Sequence, residues 1–187
     1  MNHNTGLTSG RYVRQWLDLM LQRGAKEADL FAGTGLNAKQ FVTAPPYLEQ
    51  SQVEQLFSNA RSITGNDHLG IDFGMNLNFA AHGALGFAGL TARSTREASQ
   101  QMVRYMPIVT GLIGLRDISQ GARDIHEVET VALGGLHEFT ESTLVETIIG
   151  SIYTMSRFLV GYEEPIIVRW QYPPCQALTA PFTDHNA

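Results

Sequence analysis

The 187-residue chain has one cysteine, Cys175, two lysines against eleven arginines, and no nearly apolar run longer than Met106 to Leu115. A lone cysteine makes no internal disulfide and cannot supply a zinc-finger ligand set. That apolar run is about half of what a helix needs to cross a bilayer. The N-terminus, MNHNTGLTSGR, lacks the apolar segment of a secretory signal, so the expected location is the cytoplasm, without membrane contact. The six histidines (His3, His68, His82, His126, His137 and His185) include no pair at a metal-ligand spacing such as His-x-x-x-His, so no metal site is expected. No Gly-x-Ser-x-Gly elbow is present: Ser9 precedes Gly10 and Ser151 follows Gly150, each without its second glycine. Gly83-Ala-Leu-Gly86-Phe-Ala-Gly89 has neither the Gly-Lys-Ser/Thr ending of a phosphate loop nor the Gly-x-Gly of a dinucleotide site. No cofactor is expected.

Hydrophobic residues at 43% and charged residues at 17% are globular values, and a chain of this length buries enough surface to fold without staples. The formal charge is −5 and it is unevenly placed. Residues 1–93 carry seven basic and seven acidic side chains, whereas 94–187 carry six and eleven. Phosphate binding draws on clustered Lys and Arg. No such cluster occurs, so this stretch of chain is a poor DNA binder.

Apolar periodicity organises the chain. Tyr12, Val13, Trp16, Leu17, Met20 and Leu21 mark a first helix, with Gly24 at its end. Ala25 to Phe31 is a short second helix and Asn37 to Val42 a further turn, closed by Pro45-Pro46. Ser51-Gln-Val-Glu54 predicts a capping box for a helix through Val53, Leu56, Phe57, Ala60 and Ile63, stopped by Gly65. Asp67 is placed to cap the next helix, through Leu69, Ile71, Phe73 and Met75. Phe79 to Ala92 reads as one helix whose glycines let another backbone approach. Ser94-Thr-Arg-Glu97 predicts a second capping box, before Ala98, Met102, Tyr105 and Met106. Leu112 to Ile118 and Asp124 to Leu133 predict a strand pair joined by Ser119-Gln-Gly121, and Thr140 to Leu159 predicts the longest helix. Ile166 to Trp170 predicts a last strand. The order implies an α+β fold, with a helical N-terminal part followed by a small sheet packed with helices, in a single domain over 1–187.

Asp117, Asp124, Glu127, Glu129, Glu138, Glu141 and Glu146 form an acidic stretch, read as a solvated strand face plus acids at a helix N-terminus. His82, Tyr105, Tyr153 and Trp170 put polar tips on otherwise apolar faces. Any one of them alone is most often a satisfied core residue. Together they are candidates to line a small-molecule pocket, which is mostly apolar with a few placed polar groups. No catalytic set is assigned.

From Gln52 onward the chain resembles the N-terminal effector-binding domain, of the type labelled arabinose-binding, of AraC/XylS-type transcription regulators. The matching stretches are Gln52-Val-Glu-Gln-Leu56, Thr64-Gly-Asn-Asp-His-Leu-Gly-Ile71 with Gly74, Gly83-Ala-Leu-Gly-Phe87, and Ser94-Thr-Arg-Glu-Ala98 followed by Arg104-Tyr105. Leu159-Val-Gly161 and the segment from Pro165 to Pro173 complete the series, with a weaker match over Leu36 to Tyr47. The resemblance implies a sensor rather than an enzyme: a domain that binds a small-molecule effector, contributes to homodimerisation, and biases a DNA-binding domain of two helix-turn-helix units that is absent from 1–187. It does not name the effector. Two rival readings stand beside it, a dimerisation module without ligand and a small enzyme on an unfamiliar scaffold.

Overall fold

The computed structural model describes residues 7–119, 126–130, 135–160 and 168–169. A short strand β1 (Leu7–Ser9) leads into α1 (Arg11–Gln22), α2 (Glu27–Leu30) and a 3-10 turn at Ala38–Phe41. Strand β2 (Tyr47–Glu49) precedes α3 (Gln50–Thr64) and α4 (Leu69–Asn76); a second 3-10 turn, Phe79–His82, precedes α5 (Ala84–Leu90) and α6 (Thr95–Val109). Then come β3 (Ile113–Asp117), β4 (His126–Thr130) and the long α7 (Glu138–Val160). The fold is α+β. Strand β1 pairs antiparallel with β2, Thr8 facing Leu48, and β3 pairs antiparallel with β4, Leu115 facing Val128. A bridge between Thr8 and Thr110, whose hydroxyls lie 2.8 Å apart, ties the first ribbon to the end of α6, just ahead of β3. The β1–β2 ribbon adds strand to a part of the chain that reads as wholly helical, because three-residue strands are too short to show a period of two. The expected strand Ile166 to Trp170 lies almost wholly outside the described residues; Val168 and Arg169, which are described, carry no strand assignment.

The core forms where the apolar stripes meet. Val13, Trp16, Leu17 and Met20 of α1 are buried with Val53, Leu56 and Ala60 of α3, Leu69 and Phe73 of α4, and Leu112 and Ile113 at β3. Trp16 sits with Phe57 and Phe73 at ring-centroid distances of 5.0 Å each. Gly65 adopts φ +65° and its amide closes onto the Arg61 carbonyl at 2.8 Å, ending α3 in a conformation other residues resist.

Three details depart from the sequence reading. The box on α3 is set two residues earlier than expected, with Glu49 and Gln52 exchanging the bonds rather than Ser51 and Glu54. Glu54 instead accepts from the His137 amide at 3.2 Å. Asp67 does not cap α4; it pairs with Arg61 at 2.6 Å, and Asn66 takes the His68 amide. The segment Phe79 to Ala92 is not one helix, since Gly83 at φ +57° divides it. Its small face does admit a backbone, that of Phe79, whose carbonyl occupies the place of a β-carbon on Gly86.

The most extensive contact among the described elements joins α4 to α7. Gly70 and Gly74, one turn apart on α4, lie against the Thr143 and Thr147 carbonyls of α7, where a β-carbon would collide. Gly150 answers from α7, its missing β-carbon position being 2.9 Å from the Ile71 carbonyl and 3.0 Å from the Met75 amide. The face of α7 turned to this contact sets small and polar residues beside Ile149 and Tyr153, which pack on Ile71 and Met75. Thr143, Glu146, Gly150 and Ser151 are buried, while Ile148, Ile149 and Ile152 are half-buried and Phe158 is 71% exposed.

Candidate functional site

His82 ends the Phe79–His82 turn, which Asn78 starts by accepting the Ala81 amide at 3.1 Å. The break at Gly83 points the imidazole between two helices. Its Nδ1 lies 3.0 Å from the Tyr12 hydroxyl of α1 and its Nε2 lies 3.0 Å from Ser151 Oγ of α7. Burial pushes the His82 pKa down to about 4, and burial pushes Tyr12 up to about 12 against the opposing charge of Arg11. All three groups are therefore uncharged at neutral pH. A neutral imidazole has one N–H and one lone pair, so one hydroxyl donates to the ring and the other accepts from it. The Ser151–His82 distance is that of a nucleophile and base. Yet Ser151 is 2% exposed within an uninterrupted helix, so its hydroxyl has no approach for a substrate.

Tyr153 is 4% exposed two residues along α7, packed with Ile71, Met75, Ile149 and Val168, and the Arg157 guanidinium lies 5.0 Å from its ring centroid. Tyr105 is 38% exposed on α6, with the Arg104 guanidinium 5.5 Å from its ring centroid. Trp170 lies outside the described residues. Two of the four sequence candidates, His82 and Tyr153, thus meet neighbouring parts of α7, and Tyr105 stands apart on a solvent-facing surface. Two hollows open on the described surface. One of about 180 Å³ is bounded by Gly89, Ala92, Arg93, Ser94, Thr95 and Leu159, and one of about 330 Å³ by Gln50, Glu54, Gly135, Leu136 and His137. Neither is lined by His82, Tyr105 or Tyr153.

Sequence reasoning missed Tyr12, Ser151 and the pair His68–Glu146. Glu146 belongs to the acidic stretch read as solvated, but it is fully buried, and its Oε1 lies 2.9 Å from His68 Nδ1. The available signal was helical spacing: Glu146 shares a face with Thr143, Gly150 and Tyr153, at steps of three, four and seven. Burial raises the Glu146 carboxyl above the ordinary carboxylate range, opposed by the hydrogen bond and charge of His68 and by the Ile71 and Gly70 amides in the first turn of α4. Among the described residues, no group of three or more His, Cys, Asp or Glu is placed to hold a metal ion, and no helix is long and apolar enough to cross a membrane.

Residues 24–180 match the family described as the arabinose-binding domain of AraC transcription regulator, N-term. The chain is 27% identical over 176 residues to the ornithine utilization regulator of Pseudomonas aeruginosa (strain PAO1), an alignment covering 93% of this chain and 51% of that protein. It therefore spans about half the length of that curated relative. With most of the chain inside the family match, it belongs to the N-terminal arabinose-binding domains of AraC transcription regulators and is a ligand-sensing regulatory domain.

Proposed function

We propose that residues 1–187 act as one cytoplasmic unit that binds a small-molecule effector without chemical turnover and biases a separate DNA-binding domain. The family match over residues 24–180 carries this reading. The missing approach to Ser151 supports sensing over catalysis. The relative's name points to amino-acid metabolism, so ornithine and other cationic amino acids head the effectors to be tested, before sugars, fatty acids and aromatics.

His82, Tyr105, Tyr153 and Trp170 are the proposed effector contacts. Contact with His82 means taking over a hydrogen bond now made by Tyr12 or Ser151, which would couple occupancy to the placing of α1 against α7. Sensing requires such a difference, because a ligand that binds two arrangements equally shifts neither. The test is thermal unfolding of the chain against that panel. An effector at a hundredfold excess over its Kd raises Tm by roughly 5–10 °C. Tyr105→Ala and Trp170→Ala reduce the shift while leaving the unliganded Tm close to its starting value; full shifts in both variants would remove those residues from the site.

A second reading, homodimerisation without ligand, is favoured by the surface. Phe87 of α5, Ile108 of α6 and Phe158 of α7 are 65%, 63% and 71% exposed, large apolar side chains that an association surface would cover. A screen with no responding class, together with a dimer by sedimentation, would establish this reading over the first.

A further inference from the structure

The buried carboxyl of Glu146 has no part in effector binding as proposed above, and its position is unusual. It lies at a close joint, where Gly70, Gly74 and Gly150 bring α4 and α7 into backbone contact. There it reaches across to His68, just ahead of α4, whose side chain is 29% exposed while that of Glu146 is 0% exposed. One partner thus meets solvent protons and the other does not. The same joint carries two more polar ties across α7: Thr154 Oγ1 donates to the Met75 carbonyl at 3.2 Å, and Ser151 meets His82.

We propose that the Glu146–His68 contact is a proton-operated latch between α7 and α4, closed while at least one proton is held by the pair and loosened when the buried carboxylate is left without one. Removing the compensating charge from a buried ion pair is strongly destabilising, because the remaining charge keeps its desolvation cost. Apart from the Ile71–Tyr153 cluster, the two helices meet through glycines and polar groups, so the joint leans on its polar ties. Loosening here would shift α7, and through Ser151 the His82–Tyr12 link to α1, so the latch bears on the arrangement of the whole domain.

Other charged groups lie on the elements packed about the pair. Asp72 of α4 is held by Arg23 of α1 at 2.8 Å, and Arg61 of α3 is held by Asp67 and lies over the Phe139 ring at 4.7 Å. Glu141 and Arg157 are on α7 itself, and His82 faces α7 through Ser151. Among the described residues, His68 alone acts on the Glu146 carboxyl as a charge. The sign follows from burial. The folded chain holds a proton on Glu146 above the ordinary carboxylate range, where the unfolded chain has already released it. That contribution to stability is complete at low pH and is lost as pH rises through the folded value.

The test compares thermal unfolding of the chain with that of Glu146→Gln from pH 5 to 8.5. Wild type loses Tm relative to the variant as pH rises across that range; a constant difference throughout overturns the latch. Should Glu146→Gln not fold, the wild-type carboxyl is titrated by carbon-13 NMR. A midpoint above those of the exposed glutamates Glu27 and Glu138 supports the latch, and one at or below them overturns it. His68→Gln keeps an N–H donor but takes up no proton, and moves the Glu146 midpoint further upward. An unchanged midpoint would reduce His68 to a packing role and end the proposal. The loosening itself is read by amide hydrogen exchange: protection in α4 falls relative to α3 from pH 6 to pH 8, after correction for intrinsic exchange, and an unchanged ratio shows that no joint opens.

Discussion

Helix α1 meets α3 and α4 through large side chains, whereas α4 meets α7 through glycines and polar groups beside one small apolar cluster of Ile71, Tyr153, Met75 and Ile149. In the first contact Trp16 fills the space between Phe57 and Phe73, with Leu17 and Met20 buried beside it. In the second, Gly70, Gly74 and Gly150 let one backbone lie on the other, and threonine, serine and glutamate are buried there beside Ile71 and Tyr153. The first kind of contact draws its stability from apolar area removed from water, about 1.5–3 kcal/mol for each large side chain. The second draws on close backbone approach and on polar groups that must each find a partner. A volume-filled interface suits a fixed core. A glycine-lined, polar interface holding a titratable pair suits a part that shifts between arrangements, which is what a sensor requires.

The two contacts therefore answer mutation in opposite ways. Trp16→Ala empties the first and costs about 3–5 kcal/mol, a large share of the stability of a typical domain. Gly74→Ala overfills the second. On an exposed helix that change stabilises by roughly 0.5–1 kcal/mol, but here the new methyl meets the Thr147 carbonyl, and a loss of about 1–3 kcal/mol is expected. Urea unfolding midpoints at constant m-value measure both. A neutral or stabilising Gly74→Ala would show that α4 and α7 are not in backbone contact, and the contrast between the two interfaces would fail.

The polar side of α7 also carries the main acid sensitivity expected of this joint. His82 is pushed down to about 4 by burial, while the unfolded chain protonates an ordinary histidine near 6.5. The unfolded state then binds more protons between these values, so stability is complete above about pH 6.5 and falls as pH drops towards 4. The full span is on the order of 3 kcal/mol. His82→Gln, which retains a polar side chain but does not titrate in this range, flattens this acid limb in urea midpoints taken at pH 4.5, 5.5 and 6.5. An equally steep fall in the variant would place the acid sensitivity elsewhere. The direction is opposite to that of Glu146, so the two groups are separable in one pH series.

How far the sequence reveals this structure depends on which of the two contacts is read. The stripes of α1 and α3 show plainly in Val13, Trp16, Leu17, Met20, Val53 and Leu56, since large apolar side chains at helical spacing announce a buried face. The β3–β4 pair was legible from its β-branched and alternating residues, and the structure has strands at Ile113–Asp117 and His126–Thr130, the predicted ends of the second lying outside the described residues. In α7 the same logic finds only part of the buried face. Its broad apolar stripe does bury Leu144 and Tyr153 and packs Ile148 and Ile149 on the core, but Phe158 is exposed and Thr143, Glu146, Gly150 and Ser151 are buried as well. Close packing selects small residues, and small residues leave no hydrophobic period to find. His82 was visible as a polar tip in an apolar segment. Its partners were not, because Tyr12 and Ser151 lie 70 and 69 residues away from it, and only the fold brings them together.

Capping offers the finest contrast, because Ser94 and Asp67 both read as helix caps and only one serves. Ser94 Oγ accepts the Glu97 amide at 3.1 Å, and Glu97 returns to the Arg93 amide at 2.7 Å, so the first turn of α6 is satisfied from both directions. Asp67 makes an exposed ion pair with Arg61, the two side chains being 60% and 51% exposed. Ser94→Ala removes a cap and is expected to cost about 1 kcal/mol. Asp67→Ala removes only a solvent-screened pair, whose typical contribution is about 0–1 kcal/mol and falls further with salt. Urea midpoints in low and high salt separate the two: the Ser94→Ala loss persists at high salt, and the smaller Asp67→Ala loss shrinks. If Asp67→Ala proved the more costly and salt-insensitive, the carboxylate would be capping α4 after all, and the part of Glu146 at that helix start would have to be reduced accordingly.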